Sequence, residues 1–286
     1  VMSTQITTAF VNQFSANVSM LSQQMGSLLR SAVDVESVTG EKAFFDQVGS
    51  VAAVARTSRN ADTPILETPH SRRQVSLTTY EWADLIDDAD KVRMLSDPTS
   101  SYARAAAAAI GRSMDDVVIA ALGGTSLTGK AGATSTVLPS ASKIGHGSAG
   151  LTIAKLVTAK KKLDEGNVDP SIPRYIVVSP EQIEDLLNTT SVTSSDFNTV
   201  KALVQGDVDT FVGFKFITSN RLTDDGTSRL TYAFAQDGLK LAIGKDVMAK
   251  IDERADKSYS TQVFYCSTFG ATRMEEVKVV EIACNE

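Results

Sequence analysis

Histidine and cysteine are nearly missing from this chain, with two of each among 286 residues. Cys266 and Cys284 are too few for a disulfide framework or a four-ligand zinc site, and a reducing cytoplasm is the simplest setting for them. His70 and His146 both fall in loop-like stretches, which leaves little for acid–base chemistry. A basic excess is also lacking: 28 Lys and Arg stand against 34 Asp and Glu, a formal net charge of -6. Such a surface repels a polyanion, so sequence-specific binding of nucleic acid is excluded, whereas enclosing nucleic acid is not. The opening stretch VMSTQITTAF has no Lys or Arg, and no apolar run approaches the roughly 18 residues of a membrane span. Neither secretion nor membrane insertion is therefore predicted. What is present, 42% hydrophobic and 22% charged residues, is enough for a globular protein with a sizeable core.

Catalytic motifs are near misses. Residues 124–131, GTSLTGKA, have the spacing of a phosphate-binding loop, yet Ala131 replaces the Ser or Thr that would hold Mg²⁺. The stretch also follows a helix where a strand is needed, so it reads as a Gly-rich loop. Residues 146–150, HGSAG, approach a nucleophile elbow, but His146 occupies the first glycine position and no acid is placed to orient a base for Ser148. Cys266 alternates with apolar neighbours in TQVFYC and reads as a core residue. The acidic run 81–90, with Glu81, Asp84, Asp87, Asp88 and Asp90, lacks the Gly turn and terminal Glu of a calcium loop. It reads as a solvated or partner-facing surface, with Lys155, Lys160, Lys161 and Lys162 as an exposed basic counterpart. No enzyme, metal or cofactor follows from these residues.

The order of elements says more. Phe10, Phe14, Val18, Leu21, Met25 and Leu28 recur at steps of four and three, which predicts a helix ending near Arg30. TPILETPHSRRQVSLTTYEW carries two prolines, Arg72 and Arg73, and the alternation Val75, Leu77, Thr79, the pattern of an extended β-hairpin with little core of its own. Asp97-Pro98 opens a long helix whose stripe is Ile110, Met114, Val117, Val118 and Ala121, with Gly123-Gly124 as its stop. A Gly- and Ser-rich connection, residues 123–150, leads to a helix on Ile153, Leu156, Val157 and Leu163. The strand YIVV feeds SPEQ, a capping box opening the next helix, and a further helix is predicted on Phe197, Val200, Leu203 and Val204. From TFVGFKFITSNRL onward the chain is strand after strand, without internal repeat, so the class is α+β.

Several stretches in this order resemble the major capsid proteins of tailed bacteriophages. They are RRQVSLTTYEWADLIDDAD leading into DPTSSYARAAAAAIGRSMDDVVIAAL, then YIVVSPEQIEDLL, LVQGDVDTFVGFKFITSNRL, and AFAQDGLKLAIGKDVMAKI followed by FGATRMEEVKVVEI. The resemblance implies the Hong Kong 97-type capsid fold, with N-terminal arm, extended β-hairpin loop, long spine helix, peripheral sheet and axial domain. On this pattern residues 1–61 are the arm, 62–97 the extended loop, 98–174 the peripheral domain with the spine helix, 175–225 the axial domain, and 226–286 the return strands.

The function implied is that of a structural subunit self-assembling into hexamers and pentamers of an icosahedral shell that encloses double-stranded DNA without sequence-specific binding. It is assembled in the host bacterial cytoplasm and localised in the virion. Implied partners are further copies of itself, a scaffolding protein, a portal protein and, in some shells, a decoration protein; no membrane or cofactor is involved. The alternative is the shell protein of a bacterial nanocompartment of the encapsulin type, which shares the fold. Candidate inter-subunit contacts are Phe10 and Phe14 on the arm, Arg72 and Arg73 on the loop, and Glu81, Asp84, Asp87 and Asp88 in the acidic run. Some capsids of this fold are cross-linked by a loop lysine, and between Lys42 and Lys91 this chain has none.

Overall fold

The computed structural model describes residues 23–60, 62–86, 99–188 and 210–286. Its central element is a helix of 25 residues, α1 (Thr99–Gly123), about 37 Å long at 1.5 Å per residue. Ile110, Met114 and Val118 are buried as their spacing predicts, with Val117 and Ala121 packed beside them; Ala106, Ala108, Ile119 and Leu122 are buried as well. Burial around so much of its circumference means that α1 is covered on two sides.

On one side lies a four-stranded sheet of order β1-β12-β13-β4. Its strands are β1 (Asp34–Ser37), β4 (Thr78–Ile86), β12 (Leu239–Arg254) and β13 (Ser260–Arg273). Phe269 of β13 stacks on Tyr80 of β4 at 4.6 Å between ring centroids and joins Leu239, Leu241 and Ile243 in the same core as α1. On the other side lies a six-stranded sheet of order β7-β14-β11-β8-β10-β9. It comprises β7 (Lys143–Ile144), β8 (Arg174–Val178), β9 (Thr210–Phe211), β10 (Phe214–Thr218), β11 (Ser228–Ala235) and β14 (Val279–Asn285). Alternation along these strands splits their side chains. Val177, Tyr232, Phe234 and Val279 face the α1 core, while Ile176, Val178, Ala233, Val280 and Ile282 form a second core.

That second core is covered by α2 (Ile153–Glu165) and α3 (Pro180–Asn188). Thr152 caps α2, its side chain accepting from Lys155 N, and the stripe is Leu156, Ala159 and Leu163; Val157, expected on that face, points to solvent. The predicted capping box of α3 is complete: Ser179 N donates to Gln182 Oε1 at 3.0 Å and Gln182 N to Ser179 Oγ at 3.2 Å.

A third, smaller sheet has the order β2-β3-β5-β6, from β2 (Lys42–Val48), β3 (His70–Ser76), β5 (Ser126–Thr128) and β6 (Thr134–Thr136). Here the structure departs from the sequence reading. The hairpin pairs β2 with β3, Lys42 opposite Ser76 and Val48 opposite His70, so it reaches back before residue 62. The alternation Val75, Leu77, Thr79 is not one strand, because Leu77 N donates to Glu41 O at 2.9 Å and the chain changes sheet there. The connection 123–150 is not featureless either. It folds into β5, β6 and β7, with Leu138 buried in the α1 core. The expected helix up to Arg30 is absent from residues 23–29, where Gly26 sits at φ +80° and the chain runs extended into a single 3-10 turn, Arg30–Ala32. The rest of that helix, the start of α1 at Asp97-Pro98 and the helix on Phe197–Val204 lie outside the described residues.

Candidate functional site

The hairpin root is fixed by a buried polar junction. Arg73 donates through Nε to Met274 O at 2.8 Å and through Nη2 to Glu276 at 2.8 Å, and Gln47 Nε2 reaches the same Met274 carbonyl at 2.9 Å. Arg273, with a fully buried side chain, donates through Nη1 to Leu122 O and Gly124 O, both at 2.8 Å, and through Nη2 to Thr136 O at 3.2 Å. A guanidinium is thus the cap of the carbonyl-rich end of α1. Its Nε lies 3.8 Å from Glu276 Oε1, so one carboxylate serves two arginines. Burial pulls the Arg273 pKa down from its usual value, and Glu276 opposes that pull. The junction binds the hairpin, the spine helix and β13 into one piece.

Beyond that root the hairpin has no interior. After Gly49 N bonds to Pro69 O at 2.8 Å the strands part, and every described residue from Val48 to His70 is exposed. Ile65 is 94% exposed, Val48 66% and Val54 57%, with Val51 and Leu66 also in solvent. Five apolar side chains on one excursion without cover mark a surface that another molecule fits.

A second excursion is a three-stranded blade formed by the far halves of β12 and β13 with β4. Leu239–Ile243 of β12 is largely buried, whereas Gly244–Arg254 is almost wholly exposed, past two register shifts between Ile243 and Met248. One blade face places Ala83 opposite Phe264, with Leu85 and Glu81 on β4 and Lys250 and Asp252 at its margins.

The residues singled out from sequence fall into three groups. Arg73 does not face a neighbour: it is buried in its own subunit, because successive strand residues point to opposite faces. Arg72, the outward one, bonds Asp46 of the same hairpin at 2.5 and 3.1 Å and lies over the Phe44 ring. The Arg72 guanidinium holds the Asp46 carboxyl below its usual range. Glu81 and Asp84 are exposed on β4 and, three residues apart, point to opposite faces of it. Phe10, Phe14, Asp87 and Asp88 lie outside the described residues. The expected basic face of α2 loses one member, since Lys155 Nζ is caged by the carbonyls of His146, Ala149, Gly150 and Ala283 at 2.7 to 3.0 Å. Burial lowers its pKa. The blade's exposed edge and the Arg73–Glu276–Arg273 junction were missed by the sequence reading. The available signal was alternation: Gln47 stands two residues from buried Phe45 and Arg73 two from buried Val75, on the inward sides of their strands.

The near-miss motifs have ordinary roles. GTSLTGKA is the β5–β6 hairpin with Gly129 at φ +94° in its turn, and no helix follows it. In HGSAG, Ser148 N donates to His146 Nδ1 at 3.0 Å, so the imidazole stabilises a turn and does not activate a hydroxyl. An open depression of about 710 Å³ is lined by Lys160, Arg174, Lys215, Asp164 and Asp169 without histidine or cysteine, and Arg174 already pairs with Asp164 at 2.7 Å. Among the described residues no group of three or more His, Cys, Asp or Glu is placed to hold a metal ion, and no helix is long and apolar enough to cross a membrane.

The described residues thus form a layered body of sheet, helix, sheet and helices with two exposed excursions, and comparison with known proteins gives it a class. A family described as phage capsid protein matches residues 6–286, and the chain belongs to that family. Its fold is that of solved capsids. The capsid of cyanophage P-SCSP1u superposes with a TM-score of 0.76 at 16% identity, covering 98% of this chain and 94% of that one. The capsid of Ralstonia phage GP4 gives 0.77 at 11% identity, covering 96% and 95%, and the capsid of a native GTA particle gives 0.73 at 12%, covering both chains completely. None of the curated proteins compared with it matches. The architecture is the Hong Kong 97-type capsid fold, and the protein is a structural capsid subunit of a virion shell, not an enzyme.

Proposed function

We propose that the hairpin tip of each subunit lies on the blade of the next copy, and that this contact, repeated around closed rings, builds the pentamers and hexamers of an icosahedral shell. The carrying observation is the tip itself, where Val48, Val51, Val54, Ile65 and Leu66 are exposed on a segment with no core. A heterologous contact that closes on itself is what a ring needs. Exposed charges of both signs, Arg56, Arg59, Asp62 and Glu67 on the tip and Glu81, Lys250 and Asp252 on one face of the blade, are available to set the register of the contact.

The pairing of β2 with β3 also argues for an extended loop of about residues 42–76, preceded by the arm, in place of 62–97. We read the six-stranded sheet with α2 and α3 as the axial domain, and the four-stranded sheet with α1 as the peripheral one. The net charge of -6 suits a container whose double-stranded DNA must enter and leave. Scaffolding and portal proteins, with a decoration protein in some shells, complete the partner set, and assembly takes place in the host bacterial cytoplasm.

The test is the triple change Val51→Ser, Val54→Ser and Ile65→Ser. Exposed positions contribute within about 0.5 kcal/mol to stability, so thermal unfolding of the subunit should be unchanged. Light scattering and electron microscopy should show that capsomers and shells are lost. Shells formed at the parental yield would reject the tip as an assembly surface.

A further inference from the structure

Residues 23–30 are the least expected part of the structure. They form no helix, yet they are tightly held. Asp115, in the middle of α1 and fully buried, accepts four hydrogen bonds from them: Gln24 Nε2 and Ser27 Oγ at 2.5 Å, Leu28 N at 3.0 Å and Leu29 N at 3.1 Å. Both carboxylate oxygens are used, and two of the donors are backbone amides that a continued helix would have spent on its own carbonyls. Arg112, nearly one turn earlier, donates to Gln23 Oε1 at 2.9 Å and to Gln24 O at 3.0 Å. Gly111 lets the chain cross the helix at backbone contact: a Cβ there would stand 2.5 Å from the Gly26 carbonyl carbon and 2.7 Å from Ser27 N. Past the crossing, Leu29, Ala32 and Val33 sink into the α1 core, and Arg30 pairs with Asp246 at 3.0 Å, in the irregular stretch of β12 where the blade begins.

We propose that residues 23–30 are a strap that fixes, within the subunit, the place and direction in which the chain meets the spine helix, and so the point from which an N-terminal arm starts. The recognition element is the buried carboxylate of Asp115, and the glycine at 111 is its clearance. Buried charge is stabilised only by full hydrogen bonding, so the strap has one seating and not a range of them. An arm so registered starts from the same point in every copy, and the Arg30–Asp246 link ties that registration to the base of the blade. The idea rests on the capsid reading for its consequence but not for the strap itself.

Two variants of the full chain test it by amide hydrogen exchange on unassembled protein and by electron microscopy of assembled particles. Gly111→Ala places a better helix former in α1 while colliding with Gly26. The pair Gln24→Met and Ser27→Ala removes two of the four donors and leaves α1 untouched. In both, the Leu28 and Leu29 amides should exchange at least tenfold faster while the Leu241 and Phe269 amides are unchanged, and particles should vary in diameter where the parent is uniform. Unchanged exchange at Leu28 and Leu29 overturns the strap. Faster exchange with uniform parental particles overturns its role in directing the arm. A parent that never forms particles would instead count against the assembly reading, with the exchange result standing on its own.

Discussion

Adjacent side chains on a strand cannot share a task, and Arg72 with Arg73 shows the consequence. One bonds Asp46 at the surface; the other is buried against Glu276 and Met274 O. Sequence alone presents them as a matched pair of loop cations, whereas the alternation rule, applied once the strand is known, separates them. Cys284 shares the second-core face of its strand with Val280 and Ile282. Burial pushes its thiol up to about 11, with Lys155 acting in the other direction. At pH 8 almost none of it is thiolate, and Cys266 is also shut off from solvent at 4% exposure. A thiol reagent added to native protein at pH 8 should label neither cysteine within the time that labels both in denaturant. Rapid stoichiometric labelling of the folded chain would show that the core around β13 or β14 opens freely.

Among the elements, those with their own periodicity or caps were readable. The α1 stripe, the Ser179–Gln182 box and the strands after residue 210 stand where local chemistry puts them. Elements defined by partners were not readable. The hairpin runs from Lys42 to Ser76 because β2 finds β3 across a long excursion, and no local signal in KAFFDQV names that partner. Residues 23–29 carry a helical pattern in Met25 and Leu28, but a buried carboxylate 86 to 91 residues away claims their donors. Arg273 is the other long-range organiser. Arg273→Met should strip the cap from Leu122 O and Gly124 O and leave Thr136 O and Glu276 short of a partner. Breaking one side of a buried charged network costs about 3–5 kcal/mol. Chemical denaturation should therefore show a large drop in midpoint with the hairpin, α1 and β13 unfolding together. A loss under about 1 kcal/mol would mean that water replaces the guanidinium without penalty.

At the scale of the whole molecule, the chain has no lysine between Lys42 and Lys91, so the hairpin tip lacks the amine with which some capsids of this fold cross-link their subunits. Arg56, Arg59 and Arg72 are no substitute, because a guanidinium stays protonated and is a poor nucleophile. Particles boiled in SDS should run as a single band near 30.5 kDa. A ladder of linked oligomers would reveal a bond supplied by some other residue.

The spine helix gives the shell its last constraint. The core around it takes in side chains of both large sheets, Leu241 and Phe269 from one and Val177 and Phe234 from the other. The proposed mixture of pentamers and hexamers nevertheless asks the same chain to meet its neighbours at different angles. The parts with the least packing to lose, the hairpin tip and the blade, are where that difference is taken up at the smallest cost. Curvature is then decided at the seams, as in a tiled dome whose tiles are identical and whose joints are not.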